Sequence, residues 1–349
     1  MDTKALGQTG LQVSELCLGT MTFGVQTSEA GAQRQLDMAL EYGVNFLDTA
    51  EMYPVNPVSK ETIGRTEEII GRWINQSGKR DRYIIATKHS GEGLGYVRNG
   101  APISAKTIAD TIEGSLKRLQ IDCIDLYQFH WPNRGSFAFR KQWHFDPSSQ
   151  NKTETLDNMA ECLFELQKQV DKGTIKHFGL SNESAWGTAN WLRIADANGL
   201  PRVQSIQNEY SLMYRMADTD LAELMCNEEI SLLPYSTLAT GLLTGKYRNG
   251  ATPDGSRAFA GDTNLGGRRT ERAHIAVEAY LSFAQERGID PINLAYAWTA
   301  KRPFVGSVII GATTSEQLEH MLAGHDTSVI TDEVNYAINE FHRAHPSPF

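Results

Sequence analysis

Four side chains that can transfer protons stand at, or just beyond, the ends of short apolar runs. Asp48 ends the run VNFLD, and Tyr53 follows it by five residues. Lys88 ends the run YIIATK, and His130 ends IDLYQFH. A phenol, an ammonium, a carboxylate and an imidazole in one pocket can polarise a carbonyl group and deliver a proton to its oxygen. Because no side chain supplies a hydride, reduction at this site implies a nicotinamide cofactor.

Each of these residues has a distinct expected part in such a site. Tyr53 is the candidate general acid, although a free phenol has a pKa of about 10, which is high for donation at neutral pH. We expect Lys88 to lower that pKa by stabilising the phenolate, and Asp48 to hold Lys88 in place as its counter-ion. His130 is expected to donate a hydrogen bond to the carbonyl oxygen. Any one of these residues alone has an ordinary structural explanation. The prediction therefore depends on their joint occurrence at the ends of successive apolar runs.

The elements that would position these residues alternate along the chain. Longer amphipathic segments alternate with short apolar runs. These segments predict helices near 31–42, 65–76, 104–119, 155–172, 184–198, 217–228, 270–288 and 314–325. The runs predict eight strands, at Glu15–Leu18, Asn45–Asp48, Tyr83–Thr87, Ile124–Phe129, Ile175–Leu180, Val203–Gln207, Ile230–Pro234 and Ser307–Ile310. The alternation predicts an α/β fold: a single (β/α)8 TIM barrel domain over residues 1–349. The opening LGQTGLQVS, with Thr9-Gly10 at its turn, predicts a β-hairpin that covers the barrel floor.

Three long segments would lie on the C-terminal face of this barrel, where active sites are built. Residues 53–64, 132–153 and 246–269 follow the second, fourth and seventh predicted strands. The second segment is rich in aromatic rings, and the third combines basic residues with glycines, as suits a flap over an anion. Trp131 and Trp143 predict a hydrophobic pocket for aromatic or medium-chain aldehydes.

The composition argues against several classes of function. The chain has 349 residues, 40% of them hydrophobic, and a formal net charge of −9 with scattered Lys and Arg, so we expect no nucleic-acid partner. There is no apolar signal core and no run of roughly 18 apolar residues, so we expect no membrane partner and a cytoplasmic location. Four cysteines without a C-x-x-C pair indicate reduced thiols and no metal site. The oligomeric state is not predicted.

Longer motifs resemble a known family. The stretches LGQTGLQVS, LCLGTMTFG, NFLDTAEMY, IDLYQFHWP, IKHFGLSN, QNEYS, YSTLATGLLTGKY and VIIGATTSEQL occur in this order between positions 6 and 318. They resemble the aldo-keto reductase superfamily, and Tyr53-Pro54 resembles its Tas-like branch. D-T-A-x-x-Y followed by a later H-W-P is specific to that pattern among barrels. The resemblance implies an NADP-dependent oxidoreductase that reduces aldehydes or ketones and binds NADPH in an extended pose. The absence of a G-x-G-x-x-G motif agrees with it.

The same resemblance implies roles for individual residues. Asp48, Tyr53, Lys88 and His130 stand at the positions of the catalytic tetrad. Ser181, Asn182 and Gln207 would hydrogen-bond the nicotinamide carboxamide, and Tyr235 would stack on its ring. The stretch from Ser236 to Lys246 would follow the pyrophosphate with Arg257 closing over it, and Gly311 to Gln317 would meet the adenosine phosphate. The implied cofactor positions are Thr20, Met21, Asp48, Ser181, Asn182, Gln207, Tyr235, Ser236, Thr237, Leu238, Gly241, Leu243, Lys246, Arg257, Gly311, Thr313 and Gln317.

The sequence departs from the family pattern at the adenosine end. Many relatives carry an Arg near Gln317 for the 2′-phosphate, and this chain has none there. The Asn that often meets the adenine corresponds here to Met321. A preference for NADPH over NADH would therefore depend on Lys246 and Arg257.

Three other functions remain open. A Schiff-base lyase acting through Lys88 is disfavoured by Asp48, because an ion-paired lysine stays protonated and is a poor nucleophile. A metal-dependent hydrolase would need clustered ligands, and the first predicted strand offers no His pair. A nucleotide-sensing binding subunit with slow turnover would resemble the channel-associated branch, against which the lack of a long N-terminal extension argues mildly.

Overall fold

The computed structural model describes residues 1–349. A hairpin of two antiparallel strands, β1 (Thr3–Ala5) and β2 (Gln12–Ser14), opens the chain. Val13 is fully buried and belongs to an apolar layer formed with side chains from the barrel strands, so the hairpin covers the barrel floor as predicted. The second strand lies at the end of the expected nine residues, whereas the first strand precedes them, and the connecting loop runs over 6–11.

Eight parallel strands form a curled sheet in the order β10-β3-β4-β5-β6-β7-β8-β9. The Ile309 amide donates to the Pro234 carbonyl at 2.9 Å, and the Leu232 amide donates to the Phe304 carbonyl at 2.7 Å. These bonds join the two edges, and the predicted (β/α)8 barrel is confirmed. The strands are β3 (Leu16–Gly19), β4 (Phe46–Asp48), β5 (Ile84–His89), β6 (Ile124–Phe129), β7 (Ile175–Ser181), β8 (Val203–Gln207), β9 (Ser231–Leu232) and β10 (Val308–Ile310).

Ten helices pack around or beside this sheet, eight of them near the predicted segments. Their starts follow their caps: the Ser104 side chain caps α3 in a capping box with Thr107, and Thr314 caps α9. The helices are α1 (Glu29–Glu41), α2 (Arg65–Ser77), α3 (Ala105–Leu119), α4 (Lys152–Asp171), α5 (Ala185–Asn198), α6 (Asp220–Asn227), α7 (Glu271–Glu286), α8 (Pro291–Ala300), α9 (Ser315–Ala323) and α10 (Asp332–Ala344).

Two helices, α8 and α10, were not predicted. Pro291 is the first residue of α8, where the missing amide proton of proline does no harm. Residues 293–300 are all buried, so α8 has no polar face and shows no amphipathic period. None of the helices is both long and apolar enough to cross a membrane.

Candidate active site

Asp48, Lys88 and Tyr53 form one buried chain of polar contacts at the C-terminal ends of β4 and β5. Lys88 Nζ lies 2.6 Å from Asp48 Oδ2, and it donates to the Thr49 carbonyl at 2.8 Å. It also lies 3.4 Å from the Tyr53 hydroxyl. Lys88 is 0% exposed and Asp48 is 2% exposed, so solvent does not screen the ion pair. The three residues are brought together as their strand ends predicted.

His130, the first residue after β6, completes the group. Its ring centroid lies 5.8 Å from that of Tyr53, with the two planes at 76°. The His130 backbone amide donates to the His89 carbonyl at 2.9 Å, which continues the pairing of β5 with β6 to this point. Tyr53 and His130 are 9% and 8% exposed, and the buried His130 Nδ1 has no protein partner. One edge of the site therefore presents a phenol and an imidazole side by side.

The ion pair keeps Lys88 charged. Burial alone would lower the pKa of its ammonium, but the Asp48 carboxylate and the Tyr53 hydroxyl outweigh burial and raise that pKa above its usual value. A protonated lysine has no free electron pair with which to attack a carbonyl carbon. The geometry consequently suits an electrostatic part for Lys88 rather than a nucleophilic one.

The pKa of Tyr53 differs from the sequence prediction. Burial raises it above the ordinary value of a phenol, although the Lys88 charge acts in the opposite direction. The Asp48 carboxylate also opposes ionisation, so the expected net lowering was wrong for this state of the protein. For His130, burial and then the Lys88 charge hold the pKa well below its usual value. At neutral pH the site thus holds a protonated phenol beside a neutral imidazole.

The residues expected at the nicotinamide carboxamide form one network with this group. Ser181, at the end of β7, lies opposite Gln207, at the end of β8, and its hydroxyl donates to the Gln207 carbonyl at 2.7 Å. Gln207 Nε2 donates to Asp48 Oδ1 at 2.8 Å. Asn182 Nδ2 donates to the His130 carbonyl at 2.8 Å. The strand ends of β4 and β6–β8 are therefore cross-linked through amide side chains.

Tyr235, which follows β9, closes the network on its far side. Its hydroxyl donates to Asn182 Oδ1 at 2.7 Å, and this bond fixes the direction of the ring. Thr20 and Met21 lie in the loop after β3. The Thr20 hydroxyl donates to the Asp48 carbonyl at 2.9 Å, and the Met21 carbonyl accepts a hydrogen bond from the amide of Val55 at 3.0 Å. These predicted positions all border the tetrad.

Sequence reasoning missed Gln128. It is fully buried in β6, and its Nε2 donates to Asp48 Oδ1 at 3.3 Å while its Oε1 accepts from Gln207 Nε2 at 3.3 Å. An amide in the middle of the apolar run IDLYQF was a signal that could have identified it, because a buried polar group requires partners.

Sequence reasoning also missed Glu209, which two arginines bind. Arg140 Nη1 lies 3.0 Å from Glu209 Oε2, and Arg268 Nη2 lies 2.7 Å from Oε1. Segment 246–269, which contains Arg268, was expected to form a flap over an anion. The charge of Arg268 is instead matched by a carboxylate two residues beyond β8, which also ties the two long loops together.

Lys246 and Arg257 differ from Arg268, because neither forms an ion pair. Burial lowers the pKa of Lys246 and the nearby Arg257 lowers it further; burial also lowers the pKa of Arg257, followed by repulsion from Arg268. Gly241, at φ 96°, lies directly under Lys246, and a Cβ there would meet Lys246 Cε at 2.7 Å. The neighbouring predicted positions are Ser236, Thr237, Leu238 and Leu243, of which Ser236 has a φ of 56°. Positive charge without a counter-ion, above a tightly turned backbone, suits an anion.

The residues that the resemblance places at the adenosine phosphate are engaged in a local turn. Gln317 Oε1 accepts from the amide and from the hydroxyl of Thr313, both at 3.1 Å. The Gln317 amide in turn donates to the Thr314 hydroxyl at 3.3 Å, at the start of α9, and Gly311 is exposed just before this turn. The turn stands at a helix N-terminus, where an anion is favoured.

The two tryptophans expected in the substrate pocket have different surroundings. Trp131 lies 5.0 Å from the His130 ring and packs against the apolar cluster that contains Tyr53. Trp143 is 55% exposed and lies outside that cluster. No group of three or more His, Cys, Asp or Glu side chains is arranged to hold a metal ion.

Comparisons with known proteins agree with this geometry. The profile described as Aldo/keto reductase family matches residues 15–343. Protein tas of Escherichia coli (strain K12) is 43% identical over 324 residues, which are 91% of each chain. The uncharacterized oxidoreductase YrpG of Bacillus subtilis (strain 168) is 32% identical over 338 residues, 94% of this chain and 92% of that protein. A probable voltage-gated potassium channel subunit beta of Arabidopsis thaliana is 32% identical over 354 residues, 97% of each chain. The chain therefore belongs to the aldo/keto reductase family.

Proposed function

We propose that this protein reduces an aldehyde or ketone to an alcohol with a hydride from NADPH, and that Tyr53 donates the proton. The observation that carries the proposal is the buried contact of 3.4 Å between Lys88 Nζ and the Tyr53 hydroxyl, with Asp48 paired to the same ammonium. Membership of the aldo/keto reductase family supports the oxidoreductase class.

The residues present fit nicotinamide adenine dinucleotide phosphate. Lys246 and Arg257 carry positive charge that no protein carboxylate balances in an ion pair, so they would hold phosphate groups. Ser181, Asn182 and Gln207 would hold the carboxamide beside the Tyr235 ring. When bound, this cofactor supplies the hydride that the protein lacks.

The protein's own residues would move the proton. Tyr53 holds its proton at rest because burial raises its pKa. As negative charge develops on the substrate oxygen, the Tyr53 hydroxyl gives its proton to that oxygen, and Lys88 stabilises the phenolate left behind. Neutral His130 donates a ring N–H to the same oxygen. Asp48 keeps Lys88 charged and in place throughout.

Replacement of Tyr53 by phenylalanine tests this role. We expect Tyr53→Phe to lower kcat by roughly 10²–10⁴-fold, the usual loss for a general acid, while the Kd for NADPH stays within about twofold, because the hydroxyl is not among the proposed cofactor contacts. Tyr127→Phe is a matched control, since Tyr127 is fully buried in β6 and its hydroxyl has no partner. If Tyr53→Phe kept its rate, or lost NADPH binding, the assignment would be wrong.

The cofactor preference is tested separately. We propose that Lys246 and Arg257 favour NADPH, so Lys246→Met should raise the KM for NADPH more than the KM for NADH. Arg248→Met is a suitable control, because this arginine of the same loop is paired with Glu278. Equal efficiency of the unaltered protein with both cofactors would contradict the assignment.

The substrate is proposed to be an apolar carbonyl compound. Ala50, Met52 and Val97 surround Tyr53 in one buried cluster, with Trp131 packed against it. Aromatic and medium-chain aldehydes would bury apolar surface there. A panel in which only small polar or sugar aldehydes were reduced would contradict this substrate class.

A second function, nucleotide-sensing binding subunit, is favoured by one observation. The relative named as a probable potassium channel subunit beta aligns over 97% of this chain. Tight NADPH binding together with turnover that stays far below about 1 s⁻¹ on every aldehyde would favour this reading, since reductive enzymes usually exceed that rate. Rapid multiple turnover would argue for the reductase.

A further inference from the structure

Residues 91–100 form a loop after β5 that contacts the surroundings of both Tyr53 and His130. The inference drawn from this loop rests on the proposed function. On one side, Val97 is buried in the cluster that contains Tyr53. On the other side, Trp131, the neighbour of His130, donates its indole N–H to the Glu92 carbonyl at 3.1 Å. The loop therefore connects the surroundings of the phenol with those of the imidazole.

Close packing fixes the Trp131 end of the loop. A Cβ at Gly91 would lie 2.3 Å from both Cδ1 and Nε1 of the Trp131 indole. A side chain at position 91 would have to displace the indole, so only glycine fits beside it. The start of the loop is thus closely packed against the wall next to His130.

The other end of the loop is held by Arg98. Its Nη1 binds Glu51 Oε2 at 2.5 Å, and its Nη2 donates to the Ser90 carbonyl at 2.9 Å and contacts His89 Nδ1 at 3.1 Å. Glu51 is buried, and its second carboxylate oxygen accepts from the Ser90 amide at 2.6 Å. Glu51 stands two residues before Tyr53, so Arg98 ties the loop to the segment that carries the phenol.

The backbone at this end is strained. Arg98 has a φ of 46° and Asn99 a φ of 54°, in the left-handed region that side chains disfavour. Such a conformation persists where surrounding contacts enforce it, and it tends to occur at functional sites. Here the contacts are those of the Arg98 guanidinium, and the outcome is the burial of Val97 against Tyr53.

We propose that Arg98 is a positioning residue for this active site. Through Glu51 it fixes the Tyr53 segment, and through Val97 it fixes the wall of the substrate pocket. The planar fork of a guanidinium is required, because its two Nη atoms bind a carboxylate oxygen and a carbonyl together, which the single ammonium of lysine cannot reproduce with the same geometry.

The test is Arg98→Lys with Arg80→Lys as its matched control. Arg80 stands at the opposite end of β5 and holds the buried Asp125 carboxylate together with two backbone carbonyls, and the two arginine side chains are 25% and 20% exposed. We expect Arg98→Lys to lower kcat/KM by about tenfold or more, as misplacement of a reacting group does. The Kd for NADPH should stay within about twofold of that of the unaltered protein. Arg80→Lys should show a comparable loss of thermal stability with unchanged kcat.

Substrate selectivity provides a second measurement. The ratio of kcat/KM for a naphthaldehyde to that for hexanal should rise about threefold or more in Arg98→Lys, because a loosened wall admits the bulkier ring. Val97→Ala should shift the ratio in the same direction without disturbing the ion pair, and it keeps the test available if Arg98→Lys does not fold. An unchanged ratio in the folded variants would overturn the proposal.

Hydrogen exchange separates this proposal from the reductase assignment. In Arg98→Lys, amides of residues 49–55 should exchange faster than in Arg80→Lys, whether or not the protein turns over any aldehyde. If the unaltered protein reduced no aldehyde, the proposed function would be refuted, but the difference in amide exchange between the two variants would still be expected. Equal exchange in the two variants would refute the part assigned to Arg98.

Discussion

Replacement of Asp48 by asparagine is expected to leave an uncompensated ammonium inside the barrel. Lys88 is fully buried, and without the carboxylate it would retain only uncharged partners, such as the Thr49 carbonyl at 2.8 Å and the Tyr53 hydroxyl at 3.4 Å. Removal of one partner from a buried ion pair destabilises a protein by about 3–5 kcal/mol. Because whole domains are stable by roughly 5–15 kcal/mol, this is a large fraction of the free energy of unfolding.

The pH dependence of the free energy of unfolding should also change in direction between the unaltered protein and the variant. In the unaltered protein the folded pKa of Lys88 is raised, so its contribution to stability is complete below the unfolded pKa of about 10.4 and is lost as pH rises through the folded pKa. In Asp48→Asn the attraction is gone while burial, which opposes the charge, remains, so the folded pKa falls below the unfolded one. Between those two values the unfolded chain binds more protons. The stability of the variant should therefore rise with pH, by about 1.4 kcal/mol per unit.

Urea unfolding of Asp48→Asn, Lys88→Met and the double variant, at pH 7 and pH 9.5, would measure these effects. We expect the double variant to recover most of the loss seen in Asp48→Asn, because no buried charge is left without a partner. The reasoning would be refuted by a loss below about 1 kcal/mol in Asp48→Asn, which is the range of an exposed pair. Additive losses in the double variant would refute it equally.

Three further predictions concern neighbouring parts of the structure. Gly241→Ala should weaken NADPH binding about tenfold or more, because a Cβ would lie 2.7 Å from Lys246 Cε and displace that side chain, and fluorescence titration would show it. Burial first, then a nearby cation, lowers the pKa of His89 to about 3 and that of His130 well below 6.5. The free energy of unfolding should therefore fall by about 1.4 kcal/mol per pH unit for each histidine as pH drops below about 6.5. A urea midpoint that stayed constant from pH 7 to pH 5 would contradict this. Tyr235→Phe removes a hydrogen bond of 2.7 Å to a buried amide while keeping the ring, so it should destabilise the protein by about 1 kcal/mol in urea unfolding, and no change would argue against that bond.

The parts of the fold that the sequence could predict are those set by local pattern and topology. Asp48, Lys88 and His130 stand at the ends of apolar runs, and in a closed parallel barrel such ends can only meet at one mouth. The approach of their side chains follows from strand order, without knowledge of any side-chain contact. Ser181 and Gln207, which were implied only by the family resemblance, lie opposite each other on β7 and β8.

The parts that could not be predicted depend on burial and on partners distant in sequence. The helix α8 is enclosed on all sides, so it lacks the polar stripe that would have revealed it. The amide within IDLYQF marks Gln128 as a buried polar residue, but its partner Asp48 lies 80 residues away along the chain. Arg268 is neutralised by Glu209, which is 59 residues away along the chain. None of these contacts leaves a local period or spacing in the sequence.

The pKa of Tyr53 is the most informative of these differences. It is raised where a lowered value was expected, and a raised pKa strengthens the proposed role. A general acid must hold its proton until the substrate oxygen acquires negative charge, and burial ensures this by opposing a free phenolate. The same burial removes the water that would screen Lys88, so the ammonium 3.4 Å away acts more strongly on the phenolate once it forms. In the proposed mechanism, Lys88 therefore acts on the charge that develops during the reaction rather than in the resting protein. Such a difference between the two states is what accelerates a reaction.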